Sequence, residues 1–432
     1  MKIKLYKKMI CLSLLITGIN IFSEVVPFKL GVENIPVSLL KKVCPHKKKD
    51  SCMIGLITNQ TGVDQKGKRT IDILAVDHYA VRYIFVPEHG LNGTLAERDV
   101  HDSIDKKTGI SIVSLYGNGS GKMITPEHMN NIDVIIFDIQ DSGMRHYTYI
   151  STLLTTMKIA AEYNKPFVVL DRPNPLGGIM EGPLVDPNLI SFISIAPIPL
   201  RHGMTIGELA WYFNKHVLEK RVSLHVVKMK GYDRSQGFIG NLIHQLSPNL
   251  QSLQSCYGYS FLGLLGEIEP FNVGVGTSMA FRCITLPESM HVSDEVWNRL
   301  QTILNSFNIK SYHYHYINKK NKKTNKGLRL EFSDINNVHA FELFIVILQF
   351  FKNEKISFSF SRSFDKAIGT TSVQKLLDGT LSEKLFFNHI HKDLQRFYKH
   401  AQDSFLYQPW PTIKKATYFI QKSKKAQQQE IS

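Results

Sequence analysis

IDVIIFDIQDSGMRHYTY, residues 132–149, opens on the apolar run Val134 to Phe137, set between Asp133 and Asp138, and turns polar after Ile139, with a glycine at 143. A continuous Val/Ile run of this kind suits a strand buried on both faces. The same rhythm extends outward in both directions. MIGLI (53–57), VRYIFV (81–86), ISIVSLY (110–116), PFVVLD (166–171) and SLHVVKM (223–229) read as strands, and 70–78, 148–163 and 205–220 read as helices between them. Each crossover helix must pack back on the sheet, so the pattern predicts an α/β fold: a Rossmann-like, doubly wound, mostly parallel sheet. Beyond residue 235 the rhythm loosens. GLRLEFSD (327–334) and VHAFELFIVILQFF (338–351) predict a second, smaller α/β domain that completes a cleft.

The predicted organisation is a signal peptide over 1–23, a catalytic domain over 24–235, an auxiliary domain over 236–413 and a basic tail over 414–432. Lys2, Lys4, Lys7 and Lys8 precede a short apolar run, Met9 to Phe22, which is the pattern of an export signal. The protein is therefore expected to be secreted or periplasmic, with no membrane span once the signal is removed; an uncleaved anchor is the alternative. The formal charge of +15 falls by four with the signal. The remaining basic residues are scattered and carry no nucleic-acid motif, so nucleic acid is not an expected partner. Cys44, Cys52, Cys256 and Cys283 allow three pairings, with Cys44 to Cys52 across CPHKKKDSC as the first choice. No metal-ligand spacing is present.

Polar loops follow the strands at their carboxyl ends: TNQTG, PEHGLNG, YGNGSGK, DIQDSGMRHY and DRPNPLGG. Ligands of open parallel sheets bind at that edge, so these loops are expected to share one crevice. Taken singly, Glu88–His89 is a solvated turn, Asp138 and Asp141 are helix caps, and Asp171–Arg172 is an ion pair; their common edge is what suggests a site. The first turn lacks G-x-G-x-x-G, Tyr116 and Met123 break a phosphate-loop pattern, and no G-x-S-x-G elbow occurs. No cofactor is expected. Carboxylates, arginines and aromatics in one crevice suit glycosidic hydrolysis, in which one carboxylic acid protonates the leaving oxygen. Glu88 is the first choice for that acid.

GLITNQTGVD, FVPEHGLNG, DIQDSGMRHYTY, VLDRPNPLGG with EGPLV, and PLRHGMTIGELA, in that order, resemble the NamZ-type exo-β-N-acetylmuramidases of glycoside hydrolase family 171. The resemblance runs from about Gly55 to RFYKHAQDSFLYQ. It implies release of N-acetylmuramic acid from the non-reducing end of peptidoglycan-derived saccharides, without metal or cofactor. It further implies Glu88 and His89, with Asp138 or Asp141, as the catalytic group. Asn59, Gln140, Arg145, Tyr147, Arg172, Asn174, Glu181, Arg201 and His202 are implied to bind substrate, with an arginine facing the lactyl carboxylate. The stretch 265–281, LGEIEPFNVGVGTSMAF, departs from the family pattern: Val273 stands where a glutamate is expected, and Glu267 or Glu269 is the substitute. That departure keeps a non-catalytic muropeptide-binding protein as the rival reading. An amidase or esterase is weaker, since no nucleophile or metal set emerges. The second step is open between an enzymic carboxylate and the substrate's own acetamido group.

Overall fold

The computed structural model describes residues 27–416 apart from 49–50, 78, 96–98, 118–119, 122–123, 237–243, 318–323 and 334–337. The segment 1–23 and the tail beyond 416 lie outside the described residues. Seven strands form the main sheet: β1 (Met53–Thr58), β2 (Ala80–Val86), β3 (Ser103–Ile104), β4 (Ser111–Ser114), β5 (Val134–Asp138), β6 (Phe167–Leu170) and β7 (Leu224–Val227). Their spatial order is β7-β6-β5-β1-β2-β4-β3, parallel throughout except for β3 against β4. The chain moves outward from β1 to β4, then returns to the far side of β1 with β5. That reversal makes the carboxyl ends of β1 and β5 the topological switch point, where diverging loops leave a crevice.

Strand periodicity sorts the core into two faces. Ile54, Leu56, Ile84, Val86, Val134, Ile136, Val168 and Leu170 pack against the N-terminal segment, including Val32 and Leu40, and against Ile71 and Leu74 of α1 (Thr70–Val76). Ile57, Phe85, Ile135, Phe137, Phe167 and Val169 point the other way, onto α2 (Tyr149–Glu162) and α3 (Ile206–His216). α3 begins as its sequence dictates. Thr205 accepts from the Glu208 amide while Glu208 reaches back to the Thr205 amide, and Lys215 and His216 occupy the last turn, where the helix dipole favours cations.

The second half carries α4 (Leu253–Leu265), a three-stranded antiparallel sheet of β8 (Cys283–Pro287), β9 (Ile309–Ile317) and β10 (Thr324–Phe332) in the order β8-β10-β9, and α5 (Asp294–Ser306), α6 (Ala340–Asn353) and α7 (Glu383–Ala401). Its core runs without a break into the α2/α3 face of the main sheet. α4 lies in a stretch that carries no helical signal in its residue pattern. It is buried on most sides, so it shows no apolar stripe, and Gly258 permits a close approach: a Cβ there would lie 1.6 Å from the Phe281 carbonyl oxygen. Cys44 and Cys52 form a disulfide, whereas Cys256 and Cys283 are free and buried. No helix among the described residues is long and apolar enough to cross a membrane.

Candidate active site

The crevice is built first from β1 and β5. Thr58 Oγ1 donates to the Asp138 carbonyl (2.9 Å), tying the two strand ends together. Asn59 then folds back as an Asx turn: its Oδ1 accepts from the Thr61 amide (2.9 Å) and hydroxyl (2.6 Å), and Thr61 Oγ1 accepts from the Gln140 amide (2.9 Å). The side-chain amide nitrogen of Asn59 is left buried with no hydrogen-bond partner.

Glu88 follows β2 after Pro87. His89, Gly90 and Gly93 adopt φ values of +70°, +71° and +66°, so the chain turns sharply as it leaves the sheet. Glu88 Oε2 accepts from Thr148 Oγ1 (2.7 Å), and its side chain is only 12 % exposed. His89 lies alongside, with Nε2 3.8 Å from Glu88 Oε1. Its Nδ1 bonds the Leu95 carbonyl (2.9 Å); because a carbonyl can only accept, Nδ1 carries the proton and, in the neutral ring, Nε2 is left as an acceptor.

Tyr147 and Tyr149 stand next to this acid, with ring centroids 4.7 Å apart and both hydroxyls donating to the Leu246 carbonyl (2.8 and 3.3 Å). From α4 the ring of Tyr259 reaches across, 4.6 Å from His146 and 6.1 Å from Tyr147. Burial, together with the negative charges of Glu88, Glu267 and Asp141, pushes the Tyr259 hydroxyl well above its ordinary value, so one phenol senses all three carboxylates. Glu267 is contributed by the second half, with Oε2 accepting from Ser361 (2.9 Å) and Ser363 (2.6 Å). Burial and the neighbouring Arg145 push His146 down to about 3, so its ring is neutral, and both ring nitrogens are buried without partners.

Asp141 and His202 form a buried pair. The Met204 amide donates to His202 Nδ1 (3.2 Å), which leaves Nε2 to carry the proton that it gives to Asp141 Oδ2 (3.0 Å). The Gly143 amide donates to the same oxygen (2.6 Å), and Asp141 Oδ1 is buried with no partner. An unpartnered buried carboxylate oxygen is costly, and near an open crevice it is an acceptor for a ligand group.

Several expected site residues instead face protein. Asp138 is fully buried, with Arg172 donating from Nε (2.6 Å) and Nη2 (2.9 Å) and Thr70 donating its hydroxyl; Arg172 also reaches the Val63 carbonyl (2.9 Å). Both Asp138 oxygens are therefore occupied. Arg201 pairs with Glu181 (2.7 Å), and Glu181 also accepts from the Ala340 (3.2 Å) and Phe341 (3.3 Å) amides, capping α6. Arg145 donates to the carbonyls of Pro183 (2.7 Å), Ile198 (2.8 Å) and Ile368 (2.6 Å), and burial lowers it to about 9. Asn174 closes a turn onto Leu176 and Met204, and Gln140 braces the Asp141 and Pro173 carbonyls. Arg145 and Arg172 thus spend their guanidinium groups on protein acceptors, whereas Arg201 keeps a buried Nε without a hydrogen-bond partner.

The structure brings together Asn59, Glu88, His89, Asp141, Tyr147, His202 and, from the second half, Glu267. Sequence reasoning missed Thr148, Tyr149, His146 and Tyr259. The first three stood within the quoted motif, but no sequence signal pointed to Tyr259. Two other hollows, about 700 Å³ beside α7 and about 540 Å³ between α6 and α7, contain neither Glu88 nor Asp141. Among the described residues no group of three His, Cys, Asp or Glu side chains could hold a metal ion.

Two family models match almost all of this architecture: the N-terminal part of exo-β-N-acetylmuramidase NamZ over residues 54–254 and its C-terminal part over 257–407. A peptidoglycan β-N-acetylmuramidase NamZ of Bacillus subtilis (strain 168) is 36% identical over 363 residues, covering 82% of this chain and 86% of its own. Two crystal structures of DUF1343-family proteins from Bacteroides fragilis NCTC 9343 superpose with TM-scores of 0.75 and 0.69, at 32% and 27% identity; each comparison covers 88% of this chain and 99% of the other. The chain belongs to the NamZ exo-β-N-acetylmuramidase family.

Proposed function

We propose that this protein is an exo-acting glycoside hydrolase that removes N-acetylmuramic acid from the non-reducing end of peptidoglycan fragments, with Glu88 as the general acid. The observation that carries the assignment is the placement of Glu88 at the carboxyl edge of the sheet. It is mostly shielded from water and held by the Thr148 hydroxyl, and its charge, with those of Asp141 and Glu267, raises the Tyr259 hydroxyl. Glu88 would protonate the glycosidic oxygen as the bond to the anomeric carbon breaks.

Asp138 has no free oxygen for chemistry. Asp141 is the better second carboxylate: His202 fixes one oxygen, and the other points away from any protein donor. In this reading it either accepts the acetamido N–H, orienting that group for attack on the anomeric carbon, or stabilises the cationic centre directly. Asn59 Nδ2 and the ring nitrogens of His146 are further buried polar groups without protein partners, suited to sugar hydroxyls. Glu267, braced by two serines, supplies a carboxylate in the stretch that departs from the family pattern, which favours retained activity over the sugar-binding rival.

Export is part of the same proposal. The lysine-led apolar segment at the N-terminus and the Cys44–Cys52 disulfide support it, because such bonds persist outside the reducing cytosol. The deciding experiment is release of chromophore from a β-N-acetylmuramide by the purified protein and by Glu88→Gln. Absence of turnover by the wild type, or undiminished turnover by the variant, overturns the assignment.

A further inference from the structure

β9 is the outer strand of the second-half sheet, paired only with β10 among the described residues. Its sequence, IKSYHYHYI, places Tyr312, Tyr314 and Tyr316 at every second position and therefore on one face. The opposite face carries Ile309 and His313 and packs toward α5, with His313 bonded to Asn298 (2.8 Å). The tyrosine face is thus not the core face. Tyr314 and Tyr316 stack with centroids 5.6 Å apart and planes 24° from parallel. Tyr312 is 40% exposed although the Arg329 guanidinium lies 4.3 Å from its ring centre. Cross-strand from Tyr314 stands Gly327, which adds no side chain to the surface.

A bland reading exists: tyrosine suits strands, and an aromatic ring often covers a cross-strand glycine. That accounts for Tyr314. It does not account for three rings in register or for where the row begins. Tyr316 donates to Asn272 Oδ1 (2.6 Å). Asn272 opens the loop that leads to Phe281, whose ring lies 4.9 Å from Tyr259, and along that loop the Gly276 amide donates to Asn249 Oδ1 (3.0 Å), three residues beyond the carbonyl that holds Tyr147 and Tyr149. By register Tyr312 lies across Arg329 from Cys283, two residues past Phe281, so the row starts at that end beside the wall of the candidate active site and runs outward to Tyr316 for roughly 14 Å, four residues of extended strand.

Resting on the muramidase reading, we propose that Tyr312, Tyr314 and Tyr316 form a stacking surface for the glycan chain on the leaving-group side of the scissile bond. An exo-acting site holds one terminal sugar, so the rest of a longer fragment must leave the pocket along some surface. The C–H faces of pyranose rings match aromatic faces, and tyrosine adds a hydroxyl at the rim for sugar oxygens. Arg329 beside Tyr312 is already paired with Glu331 (2.7 Å), so the row offers ring faces and hydroxyls, not a free cation.

The test compares a one-sugar chromogenic β-N-acetylmuramide with a peptidoglycan glycan of several disaccharides that ends in N-acetylmuramic acid, using the full-length protein. Tyr312→Ala, and then Tyr312→Ala with Tyr314→Ala, should raise KM for the long glycan by roughly three- to tenfold per ring, the factor that an aromatic-pair contact represents. Turnover of the one-sugar substrate should be unchanged. Equal KM for the long glycan in wild type and variants overturns the proposal, as does an equal loss on both substrates. Binding of the long glycan to a Glu88→Gln background separates the two proposals. A wild type without turnover defeats the muramidase reading alone, whereas affinity that does not depend on chain length, or that survives loss of the rings, defeats the tyrosine row.

Discussion

Replacing Asp138 by Asn tests whether this aspartate is chemistry or scaffold. The side chain is fully buried, and Arg172 donates to both of its oxygens at 2.6 and 2.9 Å. Neutralising one partner of such a pair leaves the other charged and dry, a loss of about 3–5 kcal/mol. Arg172 retains its bond to the Val63 carbonyl, and the amide oxygen introduced by Asp138→Asn can still accept one bond from it, so the lower end of that range applies. Arg172→Met should cost more, because it strands a carboxylate that keeps only the Thr70 hydroxyl. Combining Arg172→Met with Asp138→Leu removes both charges and should recover at least half of the loss, since well-packed apolar replacements of buried pairs are often nearly neutral. Urea denaturation followed by fluorescence measures all three, and the coupling of the two sites follows from the cycle. If Asp138→Asn unfolds at the wild-type urea concentration while kcat on the β-N-acetylmuramide falls by about a thousandfold, the scaffold reading is refuted and Asp138 is returned to the reaction.

Glu88→Gln should lower kcat by about 10²–10⁴-fold with no loss of stability, checked by the chromogenic assay and by denaturation of the same sample. Asp171 is fully buried, and burial raises it from 3.8 to about 6 although Tyr407, Gly207 and Thr205 donate to it. The folded protein therefore binds this proton more tightly than the unfolded chain does. Its contribution is stabilising below about pH 4 and is lost as pH rises to about 6, by on the order of 3 kcal/mol. The stability of Asp171→Asn relative to wild type should accordingly rise by that amount across the same interval, measured as denaturation midpoints at pH 4 and pH 7. Reducing the Cys44–Cys52 disulfide, which closes a loop of separation 8, should cost about 2–2.5 kcal/mol, read as the difference in unfolding free energy with and without reductant.

The sheet was legible in the sequence because strands buried on both faces leave unmistakable apolar runs, and the loops at their carboxyl ends follow from topology alone. Roles within those loops were less legible. Asp138 and Asp141 lie three residues apart in DIQD and look alike on paper; the first is the last residue of β5 and is locked by Arg172, while the second lies beyond the strand and keeps an oxygen free. Arg145 and Arg201 suggested anion binding, yet each gathers carbonyl oxygens at places where the backbone leaves regular structure, a need that no linear pattern announces. Tyr259 was invisible because it becomes a neighbour of Glu88 only through the packing of α4, a helix without an apolar stripe. The disulfide was legible because only a short loop separates its two cysteines.

The unbroken core beneath the main sheet has a consequence for how the crevice operates. Phe137, Phe167 and Val169 share one apolar mass with Leu343, Phe344 and Phe364 from beyond residue 257, and Arg145 nails the two halves together through Ile368. Prying the walls apart would wet that mass, at about 25 cal/mol for every Å² exposed. The two halves therefore hold one relative placement, set when their common core forms. A chain ended after residue 254 would keep α2 and α3 on the sheet but would bare to water the apolar surface that they share with the second half.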